Sequence, residues 1–469
     1  MFISTKHTYN VYEFIIHACK SNAEEHLKKK LNLEIIKKNK FPSISYLFFM
    51  IYLILSLKIF SKKRLNIKYN NVEIGRFVIP QTYRHYITYV SKYYFYKYLL
   101  KNIFLAGALI KTGENYIKNH KVDAVYVDHC VYLNGVLYSF FSNQNIILYS
   151  NNFPSTLYKI DFKKKKNSYF KKYERSLMIN NKKKLNQSKN KKCNVLLKNI
   201  FSQPNHLPWV AKIKYKKERF INYKKFDYVI YAHSFTDGQL MYGVDDFENV
   251  LDWLEFTLNE LAKKNKKVLI KAHPNFYEKS LGELSLWDRK IYLRFKNKYK
   301  KNNNFYFIDK PIFNFNILKK LRKNCVLISH HGTVILEGAT LNFKTICSSR
   351  NFYNEKFKIS NHWTTKSEYI KLINSDVNKL KFPNKKDLLS LFYLVFIDDY
   401  SHSGKNFWQQ IIAKEIGMKQ EEYKKKIEIY SGIDNNVKSQ KYLNKLKGQN
   451  FKKIISKLNK NIVELNYNK

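Results

Sequence analysis

Apolar positions along this chain follow two rhythms, short uninterrupted runs of four or five residues and longer stretches of helical period. A helix-leaning stretch comes first, to about residue 65, with AEEHLKKKLNLEIIKK placing apolar residues at helical spacing. Residues 44–57, ISYLFFMIYLILSL, are apolar throughout but short of the ~20 residues that span a bilayer. They predict a helix buried in a core, with an interfacial or re-entrant segment as the alternative. Residues 71–79 (NVEIGRFVI) read as a strand and a glycine turn entering a helix, and 83–117 as a helix rich in Tyr and Phe. A strand is expected at 124–127, ending in Asp128, His129 and Cys130, and another at 145–149 after a short helix. Strand, helix, strand is the signature of a parallel sheet.

The rhythm stops between 163 and 199, where KKKKN, NNKKK and KNKKC predict an exposed linker or loop. It resumes with strands at 228–232 (YVIYA), 267–271 (KVLIK), 304–308 (NFYFI), 325–329 (CVLIS) and 344–347 (KTIC). Val250, Leu251, Leu254, Leu258 and Leu261 mark an amphipathic helix within 247–264. From residue 385 the chain reads as helical and basic. The expected organisation is α/β, with two Rossmann-like parallel-sheet domains and a helical C-terminal tail. The boundaries are 1–162, a basic linker over 163–205, a second domain over 206–384, and the tail over 385–469.

A net charge of +50 suggests a nucleic-acid partner until its make-up is considered. Nine of the 86 basic residues are Arg, the residue that forks onto phosphates and bases. Lys, Asn, Ile, Tyr and Phe are abundant together, as AT-rich codons would supply. No specific nucleic-acid partner is expected, and attraction to anionic lipid headgroups is the other physical use of such charge. Five widely spaced cysteines with no CxxC pair indicate neither a disulfide framework nor a zinc ribbon. The opening MFISTKHTYN lacks the layout of a signal peptide. The expected location is cytoplasmic, with peripheral contact at the inner membrane face as an option.

Candidate chemistry sits at strand ends, where open α/β sheets bind ligands. His273-Pro274 follows one strand; its His can donate to a phosphate, although a lone pair of this kind is by default a surface turn. Ser329-His330-His331-Gly332-Thr333, with Glu337 one turn on, offers close backbone approach, a helix start capped by Thr333, and an acceptor for ribose hydroxyls. An ordinary cap with solvent-facing histidines is the plainer alternative. Asp237 and, in the first half, His129 are candidate bases for an acceptor hydroxyl. Asp245 and Asp246 read more simply as caps of the following helix. A Walker loop and an HEXXH motif are both absent, and the histidines lack zinc-site spacing, so neither a bound metal nor a cofactor is expected.

In pattern the chain resembles the capsule-polysaccharide biosynthesis glycosyltransferases, a group of GT-B architecture related to bacterial Kdo- and sialyl-transferase-like enzymes. The resemblance covers roughly 71–161 and 228–373. It rests on NVEIGRFVIPQTYRHY and VDAVYVDHCVYLNGVLYSFFSNQNIILY in the first half. In the second half it rests on YAHSFTDGQLMYGVDDFENVLDWLEFTL, KVLIKAHPNFYEK and HHGTVILEGATLNFKTI. It implies two domains facing a cleft, a nucleotide sugar held by the C-terminal domain, and a glycan or lipid-linked glycan acceptor at the N-terminal domain. His273 and Pro274 would meet the donor phosphate, a CMP-sugar being plausible by this resemblance. Gly332 and Thr333 would offer phosphate contacts and Glu337 a ribose contact, with Ser329, His330 and His331 in the same nucleotide-binding turn. Where the resemblance implies an acidic residue after the glycine of the first motif, this chain has Gly75-Arg76. The same fold also serves teichoic-acid-type transfer of polyol phosphate from CDP donors. A non-catalytic basic protein bound to membrane or nucleic acid is the rival from another class.

Overall fold

The computed structural model describes residues 39–120, 122, 124–126, 131–144, 146–152, 156–160, 187–202, 215–216, 221–240, 245–277, 282–351, 357–396 and 463–464. His129 and Asp128 lie outside the described residues, as does most of the sequence after 396. The chain divides into two compact units, one of 1–79, 100–167 and 399–469, the other of 80–99 and 168–398.

In the first unit, helix α1 (Ile44–Leu55) starts at Ser43, whose side chain accepts from the Tyr46 amide. Tyr46 and Leu53 are its buried residues, and the Tyr46 hydroxyl donates to the Ile103 carbonyl at 2.9 Å. The expectation of a buried core helix over this stretch fails. Ile44, Leu47, Phe48, Ile51, Tyr52, Ile54 and Leu55 are exposed. Periodicity could not reveal this, because a run that is apolar all round carries no facial signal. Strands β1 (Lys68–Tyr69) and β2 (Val72–Glu73) form a hairpin through Asn70 and Asn71, both at positive φ, as a two-residue turn requires. Helix α2 (Gly75–Thr82) follows, with Arg76 and Lys68 both paired to Glu73. The long helix α3 (Lys92–Asn119) leads to β3 (Ala124–Tyr126), α4 (Tyr132–Asn143) and β4 (Ile147–Asn152). β3 and β4 pair in parallel, as their spacing predicts. A strand not anticipated from the sequence, β5 (Thr156–Ile160), pairs antiparallel with β4, and Val463–Glu464 adds to its other edge. This sheet is therefore mixed rather than parallel throughout.

The second unit includes 80–99, and so the end of α2 and the first turns of α3, and continues at α5 (Gln187–Ser202), inside the stretch expected to be a linker. Cys193, Leu197 and Phe201 recur every fourth residue and are buried, although lysines dominate the composition around them. Counting charge concealed the apolar stripe. Then come β6 (Tyr228–Tyr231), α6 (Val250–Ala262), β7 (Val268–Lys271), α7 (Glu283–Lys298) and β8 (Phe305–Ile308). The chain continues through α8 (Asn314–Lys320), β9 (Val326–Ser329), α9 (Val334–Thr340), β10 (Thr345–Ser348), β11 (Asn361–Trp363), α10 (Lys366–Asn374) and α11 (Lys385–Phe396).

The six strands form one parallel sheet in the order β11-β10-β9-β6-β7-β8. From β6 the chain builds outward through β7 and β8, then returns to build β9, β10 and β11 on the other side. Alternate residues of β6 serve opposite faces. Tyr228 and Ile230 join a core with Trp253 and Leu254 of α6, Tyr292 of α7 and Tyr369 of α10. Val229 and Tyr231 join a second core with Ile317 and Leu318 of α8. A third cluster packs α5 against α9 and α11, through Leu336, Leu391 and Phe392 among others. Both faces are covered, which explains why these strands read as unbroken apolar runs. The unit is a doubly wound α/β domain.

Candidate functional site

Register aligns the ends of three neighbouring strands. Tyr231 of β6 stands opposite Lys271 of β7 and Ser329 of β9. Two residues beyond each is a histidine: His233, His273 and His331. Side chains two apart in an extended chain share a side, so the three imidazoles gather over one edge of the sheet. The His233 ring lies 3.7 Å from that of His331 and 5.3 Å from that of His273, centroid to centroid. This is the point where strand order reverses, the crevice at which doubly wound sheets admit ligands.

A cavity of about 120 Å³ opens here. Its lining includes His233, Lys271, His273, Pro274, Asn275, Ser329, His331, Gly332, Thr333 and Glu337. His273, Pro274, Ser329, His331, Gly332, Thr333 and Glu337, all singled out from the sequence, thus line the same cavity. Gly332 has φ +135°, a backbone shape that side-chain-bearing residues rarely adopt, and any Cβ there would point at the His233 ring. Thr333 precedes α9, but its side chain makes no cap hydrogen bond. The expected Thr333 cap is therefore not formed, because its backbone is already helical (φ −65°, ψ −20°) and not extended as a capping residue's is.

Asp237 is exposed and does not line the cavity; its amide donates to Ser234 Oγ at 3.1 Å, which fixes the loop after β6. His330 also points away from the cavity. Its Nε2 is 3.0 Å from Asp245 Oδ2 and its Nδ1 is 2.7 Å from His331 Nδ1. Ser348 Oγ and the Phe247 amide donate to the same carboxylate. Burial pushes the Asp245 carboxyl up, yet His330 and these donors outweigh it and hold it below the usual range. Asp245 is thus a partner of His330, and Asn249, not Asp245 or Asp246, caps α6 through the Asp252 amide. One proton per ring satisfies the chain: His330 Nε2–H donates to Asp245, and His331 Nδ1–H donates to His330 Nδ1. His331 then presents Nε2 as an acceptor.

Sequence reasoning missed Lys271, His233, Asn314 and Asp288. Lys271 is buried at the cavity floor, and burial lowers its ammonium to a pKa of about 8, against partial relief from Glu337. Glu337 accepts from Asn314 Nδ2 at 2.6 Å. The His233 loop is tied down by Asp288 of α7, which accepts from Ser234 Oγ (2.5 Å) and from the amides of Phe235 (2.9 Å) and Thr236 (2.8 Å). Burial raises the Asp288 carboxyl to about 6, opposed by these hydrogen bonds. Among the described residues no three His, Cys, Asp or Glu side chains converge as a metal-ligating group.

Burial and mutual repulsion lower His233 to about 4, and both His273 and His331 well below 6.5. A histidine held neutral in the fold stabilises it above the unfolded pKa of 6.5, and that stability is lost as pH falls toward the folded value. Asp288, raised from 3.8 to about 6, acts in the opposite sense between those pH values. Three histidines outweigh one carboxyl, so the melting temperature of the free protein should drop as pH goes from about 6.5 to 4. The fall should be shallower in His273→Asn. Equal slopes for the two proteins would contradict this account.

No protein-family model matches the chain, and no curated protein matches it. Solved structures similar to it at low level include the following two. The Thermosulfurimonas dismutans KpsC, a beta Kdo 2,4 transferase, superposes with a TM-score of 0.36 at 10% identity, covering 58% of this chain and 79% of that one. The Methanocaldococcus jannaschii UDP-GlcNAc 2-epimerase, solved with UDP-GlcNAc and UDP, gives a TM-score of 0.26 at 13% identity, covering 62% of this chain and 80% of that one. Among the described residues, no helix is long and apolar enough to cross a membrane.

Proposed function

We propose that this protein is a glycosyltransferase that takes a sugar from a nucleotide-activated donor, a CMP-sugar first among candidates. Its acceptor would be a cell-surface polysaccharide or lipid-linked glycan. One observation carries the reading: His233, His273 and His331 meet over Lys271 at the strand-order reversal of a parallel sheet. The strand-end motifs of the sequence support it. The cavity has room for a phosphate group, whereas whole ligands of this class fill about 300 Å³ or more. Nucleoside and sugar would therefore extend outward from a buried phosphate.

In this reading an acceptor oxygen attacks the anomeric carbon as the bond from that carbon to the donor phosphate oxygen breaks. The electron pair leaves with the nucleotide phosphate. Lys271 and the Nε2–H of His273, whose Nδ1 accepts from the Asn275 amide, stabilise the charge that develops there, while the one N–H of His233 is held by the Ser234 carbonyl. The acceptor proton passes to His331, whose ring His330 and Asp245 orient as a base and its supporting acid are oriented elsewhere. His331 thus takes the role that Asp237, pointing into solvent, is poorly placed to fill.

The test is a thermal-shift screen of the full chain against CMP-, CDP-, UDP- and GDP-sugars. A ligand at 100 times its Kd adds about 2.7 kcal/mol to the folded state and raises the melting temperature measurably. One nucleotide class should do so, and His273→Ala and Glu337→Ala should each diminish the shift. A response to CDP-polyols alone would redirect the assignment to polyol-phosphate transfer. No response to any nucleotide would sink both.

A further inference from the structure

We propose that α1 is a membrane-docking element that lies in the headgroup region of an anionic bilayer, an inference independent of the sugar-transfer reading. Ile44, Phe48, Ile51 and Leu55 recur at intervals of four, three and four residues, and so share one face. Ile44 is 73% exposed, Phe48 67% and Leu55 77%, with Phe41 one turn before continuing the same stripe. The opposite face is the one that packs. Tyr46 lies so close over Gly107 of α3 that a Cβ there would fall 2.3 Å from its ring. The helix is thus fixed to the domain by one side and presents hydrocarbon on the other.

A surface helix ordinarily places charge on its outer face, yet no residue between Ser43 and Ser56 is charged. Twelve residues make a helix of about 18 Å, against a bilayer hydrocarbon core of ~30 Å, so it can lie in the interface and not span it. Charge decides the occupant. Residues 39–67 carry Lys40, Lys58, Lys62, Lys63 and Arg64 and not one Asp or Glu, whereas Lys68 beyond them is paired with Glu73. Lys58 donates to the Tyr52 hydroxyl at 2.7 Å at the C-terminal end of the stripe, putting an aromatic ring and an ammonium together at the polar rim. An apolar stripe bordered by basic residues matches acyl chains beneath anionic headgroups. A second copy of this chain would oppose the same positive rim to itself.

The experiment is flotation of the full chain with vesicles of phosphatidylglycerol and phosphatidylethanolamine, and with vesicles of phosphatidylcholine alone. The protein should float with the anionic vesicles and much less with the neutral ones. Phe48→Asp/Leu55→Asp should reduce anionic binding about tenfold, while the nucleotide-induced thermal shift stays as in the wild type. Equal binding by the double variant would mean that lysines elsewhere hold the lipid, and would overturn the assignment, as would no binding at all. An oligomer in lipid-free buffer that the double variant converts to monomer would assign the face to a second copy instead. Should that variant fail to fold, Phe48→Trp keeps the face apolar. Brominated lipid should then quench its fluorescence beyond that of the native tryptophans, and no added quenching would reject the proposal.

Discussion

Lys271→Met should weaken donor-nucleotide binding by about 100-fold while raising, or leaving unchanged, the melting temperature of the free protein. A charged hydrogen bond contributes roughly 1.5–3 kcal/mol, and each 1.4 kcal/mol is a factor of about ten in affinity. The ammonium is buried at the end of β7, where desolvation disfavours its charged form. Glu337 offsets part of this, yet the pKa still stands at about 8, so the charge is under-compensated in the free protein. A donor phosphate would supply the missing negative charge. Methionine has nearly the same shape and no charge to desolvate, and Glu337 keeps its Asn314 donor. Opposite signs for stability and binding separate a ligand-binding lysine from a structural one. The wild-type affinity should also decline above pH 8, where the lysine of the free protein deprotonates, and this limb should be absent from the variant. A variant that binds nucleotide normally would remove Lys271 from the site.

The repeated element behind this site was written in the sequence as Tyr231-Ala232-His233, Lys271-Ala272-His273 and Ser329-His330-His331. Each strand was legible as an apolar run, and the last two histidines as strand-end residues. What one-dimensional reading lacked was register. Only the pairing of Tyr231 with both Lys271 and Ser329 shows that the three histidines stand level on adjacent strands. Lys271 escaped notice because a lysine ending an apolar run looks like a side chain turning out to water. Asp288 and Asn314 come from α7 and α8, helices whose approach to the strand ends depends on packing over both faces of the sheet. Asp245 shows the converse error. An acid ahead of an amphipathic helix satisfies capping statistics, but Asn249 sits nearer the first turn and takes that position, leaving Asp245 to His330. The stretch over 187–202 and helix α1 fail for a shared reason. Composition describes a segment as a whole, whereas burial is decided face by face.

Asp288→Ala should lower the urea midpoint by an amount equivalent to about 2–4 kcal/mol and abolish the nucleotide-induced thermal shift together. This carboxylate is 2% exposed and accepts from Ser234 Oγ and the Phe235 and Thr236 amides. Truncation leaves two buried amides without an acceptor, each costing about 1–3 kcal/mol. It also frees the loop that sets His233 beside His331. Ser234 is the link, since its hydroxyl donates to Asp288 while accepting the Asp237 amide, and its carbonyl accepts from Gln239 Nε2 at 3.0 Å. Asparagine should behave differently. Its side-chain oxygen can still receive the two amides, and Ser234 can turn its hydroxyl to accept from the new NH₂ group. Asp288→Asn should therefore stay within about 1 kcal/mol of the wild type and keep the nucleotide shift, while losing the carboxyl that titrates near pH 6. Because a charged Asp288 is disfavoured in the fold above that pH and relieved below it, the asparagine variant should lose stability more steeply than the wild type between pH 6 and 4. If alanine instead costs nothing, or costs stability yet leaves the full nucleotide response, the loop is held by other contacts and His233 does not depend on α7.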